Sequence, residues 1–161
     1  GYQTMIFETE RCIIRPFAEH DLDAFMAYRN DESWMQYQGF KGLSREAYAQ
    51  ALLAGQSFEK GMQLAIAGKA DNQLIGDLYL KQEEDAFWVG YTINPTFARQ
   101  GFAFEAMQGA LCWLQTQGCP CVKASVLPDN AASIGLLEKL GFTDTGKEED
   151  GEKLYLLSLR Q

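Results

Sequence analysis

The stretch NPTFARQGFAFEAM, Asn94–Met107, joins a strand-like run to an apolar helix, and its reading decides how the chain is assembled. Just upstream, AFWVGYTI is rich in aromatic and β-branched residues, and Pro95 stops it. Downstream, Ala103, Met107, Ala110 and Leu114 fall on one stripe at helical spacing, with Ala106, Leu111 and Trp113 beside it. A helix is therefore predicted from Gly101 to about Gln117. The strand CVKASVLP follows, so the unit reads strand, helix, strand, with the two strands expected as parallel neighbours. Arg99, Gln100 and Gly101 stand at the mouth of the helix. A helix start carries unpaired N–H groups and partial positive charge, so something anionic fits there. Gly101 serves equally well as a plain turn residue. Neither GxxxxGK(S/T) nor GxGxxG occurs, which argues against a P-loop nucleotidase and a dinucleotide site.

Working outward, Met5 to Phe17 has strand-like content stopped by Pro16. DLDAFMAYRN reads as a short helix with Asp21 as its N-cap. SREAYAQALLAGQ reads as another, capped by Ser44, with Ala47, Tyr48, Ala51 and Leu52 as its apolar stripe and Gly55 as its stop. MQLAIAG and QLIGDLYLKQ are expected to form a hairpin across KADNQ. NAASIGLLEKLG reads as a helix from the Asn130 cap to Gly141, and the chain finishes as a hairpin around Asp150-Gly151. The order is strand, two helices, three strands, helix, strand, helix, two strands. That pattern makes an α+β (mixed α/β) fold with a mostly antiparallel sheet of about seven strands and about four helices. No repeat or low-complexity linker interrupts it, so one domain is expected over residues 1–161.

Composition narrows the function. Lys and Arg number 14 against 22 Asp and Glu, giving a net charge of −8. This balance argues against a nucleic-acid binder with a general basic surface and weakly favours a cationic substrate. No apolar run approaches the roughly 20 residues of a membrane span, and no signal-peptide pattern opens the chain. The expected setting is cytoplasmic, and Gly1 is read as the scar of a cleaved tag. Four cysteines occur, at 12, 112, 119 and 121, and are expected as reduced thiols, with Cys112 and Cys121 as small core residues. The CPC at Cys119–Cys121 lacks nearby partners for zinc, and His20 is the only histidine, so no metal is expected.

Three stretches resemble the GNAT acetyltransferase superfamily, and more closely its ribosomal-protein N-acetyltransferase (RimJ/RimL type) branch. They are TERCIIRP (Thr9–Pro16), GYTINPTFARQGFAFEAM (Gly90–Met107) and NAASIGLLEKLGF (Asn130–Phe142). Together with the order of elements, the resemblance spans nearly the whole chain. It implies a splayed GNAT sheet and a bacterial-type enzyme that moves an acetyl group from acetyl-coenzyme A to a primary amine. The diphosphate would rest on backbone N–H groups from Arg99 through Gln100, Gly101, Phe102 and Ala103 to Phe104, with Arg99 adding a charge. The pantetheine arm would lie along Tyr91, Thr92, Ile93 and Asn94, and the N–H near Ile93 would meet the oxyanion. Ser133 is the candidate proton donor to the departing thiolate, Tyr91 a candidate relay, and Asn130 a cofactor contact that can also be a plain N-cap. A solvated Arg99 and a Ser133 that only completes a helix cap are the plain alternatives.

The chain also departs from the family pattern. Leu137 stands where many members carry a Tyr acid, Trp88 where the branch often has a Glu base, and Ala98 at the first position of the diphosphate motif. Substitute bases are Asp77, or Glu83, Glu84 and Asp85 at the turn, although that acidic run reads equally as solvated surface. The region RNDESWMQYQGFKG (Arg29–Gly42) is expected to shape the acceptor pocket through Trp34, Tyr37 and Phe40, with Asp31 or Glu32 attracting the amine. A non-catalytic acyl-coenzyme A sensor with the same fold is the rival, kept open by Trp88 and Leu137. The acceptor is expected to be a protein N-terminus, a polyamine or another small amine, and the enzyme a monomer or homodimer.

Overall fold

The computed structural model describes residues 4–160, so Gly1 lies outside the described residues. A single eight-stranded sheet runs in the order β1-β2-β3-β4-β5-β6-β8-β7. The first expected strand is in fact a hairpin, which accounts for the eighth strand. β1 (Phe7–Glu8) pairs antiparallel with β2 (Cys12–Arg15), and Thr9 N–H donates to Cys12 O at 2.9 Å across the turn.

Helix α1 (Leu22–Arg29) follows a short 3-10 turn that already holds Asp21 in helical geometry. Asp21 therefore does not cap α1. Its carboxylate turns back to accept from Ala18 N–H at 2.8 Å and from the buried Arg15 guanidinium at 2.7 and 3.0 Å. Helix α2 (Arg45–Leu53) is capped as expected, with Ser44 Oγ accepting from Ala47 N–H at 3.1 Å. β3 (Met62–Gly68), β4 (Leu74–Glu83) and β5 (Ala86–Ile93) form an antiparallel meander. Helix α3 (Phe102–Thr116) then crosses to β6 (Cys121–Val126), which lies parallel to β5. Helix α4 (Ala131–Lys139) and the hairpin of β7 (Thr143–Glu149) and β8 (Glu152–Ser158) complete the chain.

Two cores cover the two faces of the sheet. On one, Met107, Ala110 and Leu114 of α3 pack on Leu64, Ile66, Leu78 and Leu80. On the other, Phe25, Tyr28 and Tyr48 of α1 and α2 pack with Ala65. Burying one such large apolar side chain contributes about 1.5–3 kcal/mol. The cysteines sort differently from expectation. Cys12 and Cys119 are buried, Cys121 is half-buried, and Cys112 is exposed because it falls on the solvent side of α3. Among the described residues, no helix is long and apolar enough to cross a membrane.

The feature that positions a site is the junction of β5 with β6. These strands pair only at Phe87↔Val122 and Trp88↔Lys123. Beyond Trp88, β5 continues along β4 as far as Ile93↔Gly76, while β6 continues along β8 as far as Val126↔Lys153. The sheet therefore opens into a V whose lips carry backbone groups without strand partners.

Candidate active site

Backbone alternation decides which groups face the V. Asn94 N–H donates to Ile75 O on the β4 side at 2.8 Å, so Ile93 and Tyr91 turn their N–H and C=O groups toward the gap. Ile93 O is already engaged there, accepting from the Trp34 indole N–H at 2.8 Å. Asn94 is engaged structurally: its amide donates to Leu74 O at 3.1 Å, and its side-chain oxygen accepts from Thr96 N–H at 3.2 Å.

A cavity of about 620 Å³ runs from this lip to the mouth of α3, with Arg99, Gly101, Phe102, Ala103 and Phe104 in its wall and Gln100 outside it. Gly101 is the N-cap, at φ 80 in the left-handed region, and has no side chain to cap the helix. The first intrahelical bond runs from Glu105 N–H to Gly101 O at 3.1 Å, so the N–H groups of Phe102, Ala103 and Phe104 have no helical acceptor. Arg99 also takes positive φ, at 62, and turns the preceding backbone into a concave rim. This donor set, with the cations Arg99 and Lys139 on the same cavity, fits an anionic group.

Tyr91 and Ser133, from β5 and α4, meet at the V, with the two hydroxyl oxygens 3.0 Å apart. Asn130 Oδ1 accepts from Ser133 N–H at 3.2 Å, so Asn130 caps α4 and fixes the turn that presents Ser133. Burial raises the Tyr91 phenol above its usual pKa, and the Ser133 hydrogen bond partly offsets this. Both hydroxyls line a narrow space of about 80 Å³ that also touches Ser125 of β6 and Gln38. Leu137 is buried in the core beside it and carries no acid.

On the opposite side of β5 lies a second cavity of about 660 Å³, lined in part by Asp77, Tyr79, Trp88, Thr92 and Glu83. Asp77 lines this cavity but is not a free carboxylate. It is fully buried and accepts from Arg29 Nη2 at 2.6 Å, Gln63 Nε2 at 2.7 Å and the Tyr28 hydroxyl. Thr92 is buried, and its hydroxyl has no hydrogen-bond partner. Of the acidic turn, only Glu83 reaches this cavity. Trp34 and Tyr37 fall on the other cavity, beside the mouth of α3. Asp31 is turned into a local bond, accepting from Trp34 N–H at 3.1 Å, and lines neither cavity.

Three residues escaped the sequence reading. Gln38 borders both cavities and the space between them. Lys139 sits 4.4 Å over the Phe104 ring on the α3 side. Arg11 lies 4.0 Å over the Phe102 ring and donates from Nε to Glu105 at 2.6 Å, so a third cation stands by the mouth of α3. Each lay inside a stretch already singled out, Arg11 in TERCIIRP, Gln38 in RNDESWMQYQGFKG and Lys139 in NAASIGLLEKLGF, but none had a signal of its own. Among the described residues, no group of three or more His, Cys, Asp or Glu is disposed to hold a metal ion.

Residues 11–143 match the family model described as an acetyltransferase (GNAT) domain. The chain belongs to the GNAT acetyltransferase family. It is 30% identical to the uncharacterised N-acetyltransferase YoaA of Bacillus subtilis over 151 residues, which cover 88% of this chain and 84% of that one. It is also 36% identical to the ribosomal protein uS5-alanine N-acetyltransferase of Escherichia coli over 73 residues, 45% of this chain and 36% of that one. Among solved structures, a GNAT acetyltransferase from Bacillus anthracis superposes with a TM-score of 0.83 at 22% identity, covering 95% of this chain and 98% of that one. RimL, a ribosomal L7/L12 α-N-protein acetyltransferase solved with coenzyme A, superposes with a TM-score of 0.77 at 16% identity, covering 96% and 98%. The fold is thus the GNAT fold and the activity class that of an acyltransferase, in a family that uses acetyl-coenzyme A.

Proposed function

We propose that this GNAT protein acetylates a primary amine directly from acetyl-coenzyme A, as one catalytic domain working in the cytoplasm as a monomer or homodimer. The observation that carries the reading is the Tyr91–Ser133 hydroxyl pair, held at 3.0 Å where the cavity at the α3 mouth meets the cavity beyond β5. The acceptor belongs to the protein N-termini or small amines.

Acetyl-coenzyme A would supply an activated acetyl thioester, and the chain supplies the rest. The free amides of Phe102, Ala103 and Phe104 would take the diphosphate, with Arg99, Arg11 and Lys139 adding charge. Tyr91 and Ile93 would offer backbone groups to the pantetheine amides, and Trp34 would release Ile93 O. Ile93 N–H would donate to the acetyl oxygen as negative charge builds there; one such donor is worth about 3 kcal/mol. Ser133 would pass a proton to the leaving sulfur, with Tyr91 supporting it; burial keeps the phenol protonated at neutral pH. In balance, a C–N bond forms, the C–S bond breaks, and the proton displaced from nitrogen ends on the thiol. Asp77 is saturated and Trp88 has no basic group, so the amine would enter neutral, having lost its extra proton to water or to Glu152, which lines the narrow space with Tyr91 and Ser133.

Ser133→Ala tests this. Turnover is expected to fall about 10- to 1000-fold with donor affinity unchanged. Wild-type rates would remove Ser133 from the mechanism. Coenzyme A binding with no thiol release on any amine would make the chain a non-catalytic sensor.

A further inference from the structure

Two of the described residues, Tyr91 and Gln38, line all three spaces: the cavity at the α3 mouth, the cavity beyond β5 and the narrow space between them. An acyl group entering by one cavity and an amine entering by the other meet where the two join. Val89, Gly90 and Ser125 carry the wall of the cavity beyond β5 into the narrow space, and Gly90 has no side chain to close the passage. Tyr91 is already engaged at this junction, with its hydroxyl 3.0 Å from that of Ser133. Gln38 is not. Its one hydrogen bond among the described residues is made by the backbone N–H, which donates to Met35 O at 3.0 Å, and its half-buried carboxamide is left unclaimed.

Gln38 belongs to the segment between α1 and α2, and that segment is pinned on both sides of it. Upstream, Met35 is fully buried, and its carbonyl also accepts from Lys41 Nζ at 2.8 Å. Downstream, Phe40 O accepts from the buried Arg29 Nη1 at 3.0 Å. The Phe40 ring packs with its centre 5.4 Å from that of Tyr48 and 6.0 Å from that of Phe25. The backbone at Gln38 is therefore held in place while the carboxamide satisfies nothing in the fold. A polar group so placed at a junction of cavities is available to a substrate, and its fixed anchor limits the freedom lost on binding.

We propose that Gln38 is a catalytic residue that holds the attacking nitrogen, an inference that rests on the acetyl-transfer reading above. Gln38 Oε1 accepts one of the two N–H groups of the neutral amine, which turns the nitrogen lone pair toward the acetyl carbon. As the C–N bond forms, the nitrogen becomes cationic. The hydrogen bond then becomes charge-assisted, so it is stronger in the transition state than in the ground state. The C–S bond breaks, the second N–H proton passes to the sulfur, and the proton held by Gln38 stays on the product amide. A carboxamide neither gives nor takes a proton here. Gln38 orients the amine and leaves proton transfer to Ser133.

Two variants test this. Gln38→Met keeps the length of the side chain and removes both polar atoms, whereas Gln38→Glu keeps an acceptor oxygen and removes the N–H donors. Thiol release from acetyl-coenzyme A is followed with propylamine, spermidine and a short peptide with a free N-terminus, and calorimetry gives the coenzyme A affinity, which also reports that each variant is folded. With the fastest acceptor, Gln38→Met is expected to lower kcat about 10- to 100-fold, the scale of a hydrogen bond to a charged group, and to leave coenzyme A affinity within about twofold of wild type. Gln38→Glu is expected to keep at least about a third of the wild-type kcat, because the accepting oxygen remains. A Met variant as fast as wild type makes Gln38 a spectator, and a Glu variant as slow as the Met variant shows that the Nε2 donor is what matters. Either result overturns the proposal, as does a loss of coenzyme A affinity that matches the loss of rate. Each of these is read against wild-type turnover, so they refute Gln38 alone. If the wild type releases no thiol with any amine, the transfer reading fails first and Gln38 falls with it.

Discussion

Asp77→Asn separates a structural carboxylate from a catalytic one. In the wild type, Asp77 holds Arg29 Nη2 at 2.6 Å and Gln63 Nε2 at 2.7 Å, and the side chains of both Asp77 and Arg29 are almost fully buried. The substitution keeps the shape but strands a buried guanidinium without its counter-charge. Breaking a buried pair in this way costs about 3–5 kcal/mol. For a chain of this size each kcal/mol lowers Tm by about 2–4 °C, so a drop of about 6–20 °C is expected. Thermal and urea unfolding followed by circular dichroism would measure it. Coenzyme A affinity well below the midpoint should stay near wild type, because Asp77 lies on the far side of β5 from the α3 mouth. Exchanging the whole pair for apolar residues, Arg29→Met with Asp77→Leu, should recover much of the loss. If Asp77→Asn instead keeps its midpoint within about 2 °C and loses turnover a hundredfold or more, Asp77 is a base and the structural assignment is wrong.

Three further outcomes are expected. Gly101→Ala should weaken coenzyme A binding several-fold through the backbone, because a left-handed φ of 80 costs a non-glycine residue about 1–2 kcal/mol while the new Cβ would meet only Arg11 Nη2, at 3.6 Å. Gly101→Trp should abolish binding, and tight binding by calorimetry in that variant would refute the cradle. In pH profiles, kcat/KM should rise with pH as the amine loses its proton. Because burial raises the Tyr91 phenol above its usual range and the protonated phenol is the active form, no loss from Tyr91 should set in near neutrality; a fall there would refute the assignment. Trp34→Phe keeps the ring but frees Ile93 O, so coenzyme A affinity should rise about 2- to 10-fold, the value of one hydrogen bond. Weaker binding would mean that the indole N–H supports the site instead of guarding it.

What was legible in the sequence was local. The α3 stripe, the Ser44 and Asn130 caps and the Gly101 turn all rest on residues within one or two helical turns of each other, so spacing alone reveals them. The parallel partnership of β5 and β6 followed from the crossover between them. Where sequence reasoning fell short, a distant partner decided the outcome. Asp21 looked like a cap because its neighbours are helical, but Arg15 takes its carboxylate. Asp77 looked like a free base because nothing beside it in the chain reveals Tyr28 and Arg29, some 49 and 48 residues away. Trp34 reaches Ile93 across 59 residues, and Arg11 reaches Glu105 across 94. The positive φ of Arg99 carried no signal, because arginine is not a residue that announces a left-handed turn.

Two rungs alone fasten β5 to β6, at Phe87↔Val122 and Trp88↔Lys123. Within the sheet, the block made of β6, β8 and β7 therefore meets the larger block of β1 to β5 at a short seam, while one core under α3 runs beneath both. A molecule lodged in the V touches both blocks and acts as cross-bracing between them. Amide exchange in β6 and β8 should then slow in step with β4 and β5 once the cleft is filled.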